Sequence, residues 1–144
     1  NMAISQAVAN SFKSEILQGI HDLESGGDSF KLALYTSVAT LSSATTSYTT
    51  SSEVAASGEY VAGGGVLQTQ QVSLATGGVA IVDFADLSFT GVTLTARGAL
   101  IYNTTEAKKA VCVLDFGADK TATSGTFTIQ FPQFTSSSAI LRIA

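Results

Sequence analysis

The clearest β-hairpin in the chain is predicted for residues 97–117, which read RGALIYNTTEAKKAVCVLDFG. Two apolar runs, residues 99–102 and 110–114, flank a polar centre rich in Asn, Thr, Glu and Lys. This order is typical of two antiparallel strands joined by a turn. We therefore expect a hairpin whose tip lies between Asn103 and Lys109.

Three motifs in this window have a chemical interpretation and a simpler structural one. Asn103-Thr104-Thr105 fits the N-glycosylation pattern, but we interpret it as the hairpin tip, since the opening stretch of the chain does not look like a signal peptide. Asp115-Phe116-Gly117 matches a magnesium-binding tripeptide of kinases, yet the other kinase motifs are missing. We predict instead that Gly117 adopts a turn conformation and that Asp115 or Asp119 binds nearby backbone amides. Cys112, the single cysteine, is predicted to be a small buried residue.

Composition excludes several classes of function. The chain has 144 residues, enough for one domain, residues 1–144, and only 12% of them are charged. The seven basic residues are scattered and the net charge is −4, so we predict no nucleic-acid partner. One cysteine and one histidine exclude an intrachain disulfide and a Cys/His metal site. The opening stretch carries Lys13 and Glu15 among its apolar residues, so we predict no membrane span.

Apolar periodicity organises the rest of the chain. Residues 4–24 show the spacing of a helix with one apolar stripe, which includes Phe12, Ile16 and Ile20. A strand at residues 30–36 follows, then a long polar excursion at residues 37–65. The remaining β core is predicted for residues 66–144. The predicted fold is mainly β: an antiparallel β-sandwich or barrel of about seven strands with one N-terminal amphipathic α-helix.

The later strands are predicted from alternating apolar runs separated by turn signals. The predicted strands begin at Val66, Val79, Val92, Ala110, Thr126 and Ala139. The predicted turns are Gly77-Gly78, Asp86 to Gly91, Asn103 to Lys109, Gly117 to Gly125, and Pro132 to Ser138. The triplet Gly63-Gly64-Gly65 is predicted to be a flexible lead-in to a strand, because the Lys-Ser/Thr of a phosphate loop does not follow it.

No constellation in the sequence identifies an active site, and no cofactor or metal is predicted. Asp83 and Asp86 lie near a strand end and are interpreted as turn-capping residues rather than calcium ligands. Arg97 stands between Ala96 and Gly98, which favours a bulge; its guanidinium would pair with Asp83 or Asp86, or would point into a subunit contact. The candidate interaction residues are Phe12, Ile16, Ile20, Tyr48, Tyr60 and Arg97.

Much of the chain resembles a family of small structural proteins of tailed bacteriophages. The resemblance is carried by SFKSEILQGIHDL, FKLALYTSVATL, SYTTSSEV, GEYVAGGG, VDFADLSFTGVTLTARGALIYN, KKAVCVLDFGADKTATSGTFTIQFP and AILRIA. The stretch from Ala96 to Pro132 is its most specific part. It implies a virion component without enzymatic activity, made in the bacterial host cytoplasm and present in many copies. Its implied partners are copies of itself and other virion proteins such as the major capsid protein. No functional residue can be transferred from the family.

Three hypotheses follow. The first is a capsid decoration or cement protein. The second is a tail or head-fibre component that binds a host receptor or glycan through residues 37–65, with Tyr48 and Tyr60 as aromatic contacts. The third is a small hydrolase with convergent acidic residues, which the single histidine and single cysteine make the weakest. We also predict that residues 37–65 are mobile in the isolated chain and become ordered in an assembly.

Overall fold

A computed structural model of the chain describes residues 3–132 and 140–143. Within these residues, eight strands form two antiparallel sheets, and one short helix lies near the N-terminus. The arrangement is sandwich-like and not a closed barrel, so the predicted mainly β fold is confirmed. The elements are β1 (Ala7–Val8), α1 (Asn10–Leu17), β2 (Phe30–Tyr35), β3 (Gly65–Val66), β4 (Gln71–Ala75), β5 (Val79–Asp83), β6 (Leu87–Asn103), β7 (Lys109–Ile129) and β8 (Leu141–Ile143).

The hairpin of β6 and β7 is the centre of the larger sheet, whose order is β1-β7-β6-β2-β3. Asn103 pairs with Lys109 across a turn at residues 104–108, as the sequence predicts. The smaller sheet has the order β4-β5-β8. The predicted turn at Gly77-Gly78 joins β4 to β5, and both glycines have positive φ, at 84° and 76°.

Two of the predicted turns are wrong. Residues 86–91 and 117–125 lie almost wholly inside β6 and β7, which have 17 and 21 residues. Gly91 and Gly117 do adopt positive φ, at 65° and 80°. The pairing register shifts near both residues, so these glycines serve β-bulges rather than chain reversals. The predicted strands at Ala110 and Thr126 are therefore one strand.

The predicted helix at residues 4–24 is also too long. Ala7 and Val8 pair with β7, and Gly19 adopts a φ of +75°, which ends the helix. The first residues form backbone hydrogen bonds with the central hairpin instead of a helix. The helical spacing of apolar residues is found only within α1. Likewise, the predicted strand from Val66 divides into β3 and β4.

The core lies on both faces of β2, where residues 32–35 have no exposed surface. Phe84 links the sheets, since its ring centre lies 5.9 Å from that of Phe30 and 6.0 Å from that of Phe131. Of the predicted turn from Pro132 to Ser138, residues 133–138 lie outside the described residues, as does Ala139. In the described part of the chain, no helix is long and apolar enough to cross a bilayer.

Candidate functional site

An apolar groove of about 800 Å³ lies between α1 and the smaller sheet. This volume is in the range of ligand and interaction sites. Among the lining residues are Phe12, Ile16 and Leu17 from the helix side and Val72, Val82 and Ile143 from the sheet side. We call this feature the apolar groove.

The sheet side of the groove follows from strand register. Directly paired residues of antiparallel strands point to the same face. Val72 pairs with Val82 and Val82 with Leu141, which gives one apolar row. Leu74, Ala80 and Ile143 form the second row in the same way. One face of the smaller sheet is therefore entirely apolar.

The two rows differ in exposure. Val82 and Leu141 are only 8% and 6% exposed, so the first row is partly built into the core. Leu74 and Ile143 are 74% and 61% exposed. The second row and the edge of the first therefore present apolar surface to solvent, an arrangement that marks interaction surfaces when the exposed residues are contiguous.

Helix α1 forms the opposite wall. Phe12 is buried and Ile16 is half-buried, whereas Leu17 is 89% exposed. The predicted interaction residues Phe12 and Ile16 are thus brought together in the groove. Ile20 follows the helix, is half-buried and is not part of the lining. Leu17 is a lining residue that was not among the predicted ones, although it stands next to the apolar stripe in sequence.

A buried polar chain centred on His21, which is itself a lining residue, adjoins the helix wall of the groove. The Nε2 atom of His21 is 2.9 Å from Oε1 of Glu15, and its Nδ1 is 3.0 Å from Nδ2 of Asn103. Because an amide nitrogen can only donate, Nδ1 accepts this hydrogen bond and Nε2 carries the proton that is donated to Glu15. The ring of Phe12 packs on His21 at 4.7 Å. His21 therefore connects α1, through Glu15, to β6 of the larger sheet, through Asn103.

Asn103 completes this chain. Its Nδ2 also donates to Oδ2 of Asp28 at 2.8 Å, and its Oδ1 accepts from the amides of Thr105 and Glu106. The side chain has all of its hydrogen-bonding capacity in use and no exposed surface. The Asn103-Thr104-Thr105 motif is thus a turn cap whose amide a glycosylating enzyme cannot reach in this conformation.

All four tyrosines of the chain surround Glu53. The hydroxyl of Tyr48 donates to Oε1 of Glu53, and that of Tyr60 donates to Oε2 at 2.6 Å. The rings of Tyr48 and Tyr102 stack at 4.7 Å. Burial raises the pKa of every one of these tyrosines, to about 12 for Tyr102, and the negative charge of Glu53 adds to the rise.

This tyrosine cluster holds the long excursion against the hairpin. The amide of Gly63 donates to Glu53 at 2.8 Å, and the carbonyl of Gly63 accepts from Tyr102 at 2.6 Å. Tyr60 has no exposed surface, and Tyr48 is half-buried beneath Nζ of Lys108, which lies 5.5 Å from the ring centre. In this conformation Tyr48 and Tyr60 therefore serve the fold rather than an outward aromatic platform.

Arg97 lies at a bulge, as predicted, but its partner is different. The register passes from Ala96 opposite Lys120 to Gly98 opposite Asp115, so Arg97 faces a four-residue bulge of β7. Its Nε donates to Oδ1 of Asp119 at 2.8 Å, and both side chains are substantially exposed, at 36% and 49%. The predicted pairing with Asp83 or Asp86 is wrong because the bulge carries a nearer carboxylate.

The other candidate residues have structural surroundings. Burial raises the pKa of the Cys112 thiol to about 12, which disfavours a nucleophilic thiolate. Asp115 accepts from the amide of Gly117 at 2.9 Å, as predicted. Asp86 accepts from the amide of Phe131 at 3.0 Å, while burial raises the pKa of Asp83. Across residues 3–132 and 140–143, no three His, Cys, Asp or Glu side chains are grouped to hold a metal.

Comparison with known proteins finds no family model, curated protein or solved structure that matches the chain. Sequence reasoning missed the sheet side of the groove. Alternation in QVSLA and in LRI shows which residues share a face of each strand, but only the pairing of β4, β5 and β8 joins those faces. It also missed Glu53, which no local pattern distinguishes from a surface glutamate.

Proposed function

We propose that this chain is a non-enzymatic structural protein of a tailed-bacteriophage virion. The proposal is supported by the resemblance of the quoted segments to phage structural proteins and by the apolar groove. A structural subunit of a particle is made soluble and then buries surface against its neighbours. Such a subunit needs an exposed apolar surface with few charges, because an unpaired charge in an interface core is costly.

The observation that carries the proposal is the exposed apolar surface around the groove. Leu17 on one wall, and Leu74 and Ile143 on the other side, are each more than half exposed. These are large aliphatic side chains, which favour contact with another protein surface over contact with water. The polar clusters elsewhere, around Glu53 and His21, are internally satisfied and hold the fold in place.

Within the particle, the role we propose is capsid decoration. A decoration protein attaches after the shell has formed, so it is a folded domain that adds a ready-made apolar surface to the major capsid protein. Among residues 3–132 and 140–143, the apolar groove is formed by elements already in place, so no described segment must move to create it. Its lining also includes the charged residues Lys13, Asp22, Glu24 and Arg142, which supply polar contacts beside the apolar ones.

The test is the copy number of the chain in purified particles of the phage that encodes it. Quantitative mass spectrometry against the major capsid protein should give many copies per particle, in a fixed ratio to the capsid subunit. One or two copies would rule out decoration and point to the tail, and absence from the particle would overturn the virion proposal.

A binding assay then tests the groove itself. The purified chain should saturate expanded capsids, and Leu17→Lys should weaken that binding at least tenfold, because burying an ammonium group in an apolar contact carries a desolvation cost even when a carboxylate is near. Val38→Lys is the matched control, since Val38 is 56% exposed but belongs to the excursion. Equal binding by the two variants would exclude the groove as the attachment surface.

A further inference from the structure

The smaller sheet has an unusual edge. The outermost strands of the two sheets are β1, β3, β4 and β8. Residues 87–97 of β6 and 114–129 of β7 also extend beyond their outer partners, but both stretches carry charged residues. β1 and β3 have two residues each and β8 has three, whereas β4 has five. Short edges are one way in which proteins prevent unwanted strand pairing. Among the four outermost strands, β4 is the one that shortness does not protect.

β4 also lacks the charged residues that usually guard an edge. None of the seven basic and eleven acidic residues of the chain lies between Val61 and Val82. Every residue from Gln71 to Leu74 is exposed, including Val72 at 41% and Leu74 at 74%. A long, uncharged edge with exposed aliphatic side chains is a template for another strand.

We infer that β4 pairs antiparallel with β4 of a second copy of this chain, centred on Ser73. In that register, Ser73 lies opposite Ser73 of the second copy, and Val72 lies opposite Leu74. The two three-stranded sheets become one six-stranded sheet. Their apolar faces lie on the same side, because paired residues of antiparallel strands share a face.

Charge and pattern favour a second copy over an unrelated strand. Each copy has a net charge of −4, so two copies approach best through a surface that contains no charge. In this antiparallel register, Val72 of one copy lies opposite Leu74 of the other, and Gln71 lies opposite Ala75. The residue types of QVSLA are compatible with this self-pairing. On the apolar face, aliphatic residues of the two copies therefore lie opposite each other. The polar Ser73 of each copy lies on the other face of the sheet.

The inference rests on the proposed function in one respect, since pairing doubles the apolar face available to a capsid. It is tested on the purified chain alone, so its failure is distinguishable from failure of the copy-number measurement. A strand pair of five residues is smaller than a standard interface of about 800 Å² per partner, so the dimer should form in the micromolar range or above.

Sedimentation velocity over about 1–500 µM, the range for small interfaces, measures the association. We expect the natural sequence to shift from monomer to dimer and Leu74→Lys to remain monomeric throughout. Val38→Lys should dimerise like the natural sequence. A natural sequence that stays monomeric at the highest concentration overturns the inference, and so does a Leu74→Lys variant that dimerises normally.

Disulfide trapping tests the register independently of any weakening substitution. Directly opposite residues of an antiparallel pair have Cα atoms about 4.5–5.5 Å apart, within the reach of a disulfide. Mild oxidation should therefore cross-link the exposed Ser73→Cys variant into dimers. In Gln71→Cys the two thiols would be about 13 Å apart along the strands and should not cross-link. The natural Cys112 is buried and does not interfere. Equal cross-linking of the two variants, or none, contradicts the register.

Discussion

Tyr60 and Glu53 form the central hydrogen bond of the tyrosine cluster, with 2.6 Å between the phenolic oxygen and Oε2. The same phenolic oxygen accepts from the amide of Leu34 at 2.8 Å. A single side chain thus connects the excursion to β2 in the core. Removing the carboxylate of Glu53 would leave the hydroxyls of Tyr48 and Tyr60 and the amide of Gly63 without their acceptor.

We expect Glu53→Ala to lower the free energy of unfolding by about 2–4 kcal/mol, because unsatisfied, partly buried donors cost about 1–3 kcal/mol each. Glu53→Gln keeps an acceptor for Tyr60 and Gly63 and should lose less. Urea unfolding followed by circular dichroism measures both. Glu59→Ala is the control. Glu59 lies on the same excursion and accepts a hydrogen bond from the amide of Thr90 in β6, but it is exposed, so this substitution should lower the free energy of unfolding less. If Glu53→Ala is no worse than this control, the cluster does not hold the excursion.

The raised tyrosine pKa values predict an alkaline limit of stability. The unfolded chain loses its phenolic protons near pH 10, whereas the folded chain holds them to a pH of about 12 at Tyr102 and higher at the other three. The unfolded state therefore binds fewer protons above pH 10, and stability falls as the pH rises.

A pH titration measures this limit. Phenolate absorbance should rise together with the loss of the β-sheet circular dichroism signal, since the tyrosines ionise when the cluster opens. Below pH 10 the stability contribution is fully present and should not vary from this cause. Tyrosines that ionise near pH 10 while the sheet signal persists would show that the cluster is open to solvent.

The excursion at residues 37–65 illustrates what sequence can and cannot predict. Its polar composition predicts a long segment with little regular structure, and residues 37–64 contain no strand or helix. The segment is tied down by side chains from distant parts of the chain, such as Tyr102, and by a glutamate with no local signal. These contacts depend on the tertiary fold, so composition alone predicted mobility.

We now expect amide protection in this segment of the isolated protein. The amide of Tyr48 donates to the carbonyl of Lys108 at 3.0 Å, and that of Val54 donates to Leu34 at 2.9 Å. Hydrogen exchange followed by nuclear magnetic resonance should show both amides exchanging far more slowly than an unstructured reference. Free exchange at both positions would restore the prediction of a segment ordered only by assembly.

The glycines of the sequence indicate where φ is positive but not whether the chain reverses direction there. Gly77 and Gly117 both have positive φ, which their sequence context indicates, but one lies in a hairpin turn and the other in a bulge. Both conformations need the same residue. Only the pairing of β6 with β7 over their full length distinguishes a bulge, and that pairing is a long-range property.

The ion pair of Arg97 and Asp119 is predicted to contribute little. Both side chains are at least one-third exposed, and such pairs typically contribute about 0–1 kcal/mol. Arg97→Ala should therefore lower the free energy of unfolding by less than about 1 kcal/mol. A double-mutant cycle with Asp119→Ala measures the coupling. A loss of several kcal/mol would mean that Arg97 has another role in the fold. Sedimentation velocity of Arg97→Ala beside the natural sequence tests its predicted part in a subunit contact.

Gly64 is predicted to be the least replaceable glycine of the GGG triplet, which the sequence suggested was a flexible lead-in. It has a φ of +86°, and a Cβ added there would overlap the carbonyl oxygen of Leu32 in β2. Gly77 has nearly the same φ, +84°, but a Cβ there would meet nothing within 4 Å. Replacing Gly77 by alanine therefore introduces backbone strain alone, whereas replacing Gly64 introduces similar strain and a steric overlap.

Gly77→Ala should lower the free energy of unfolding by about 1–2 kcal/mol, the cost of a left-handed conformation for a residue with a Cβ. Gly64→Ala should lower the free energy of unfolding by at least about 3 kcal/mol or prevent folding, because a backbone carbonyl of β2 cannot move aside without disturbing the pairing of β2 with β6. Urea unfolding of the two variants under the same conditions gives the difference. Equal losses would mean that residue 64 has room for a methyl group and that the excursion packs on β2 less closely than the structure indicates.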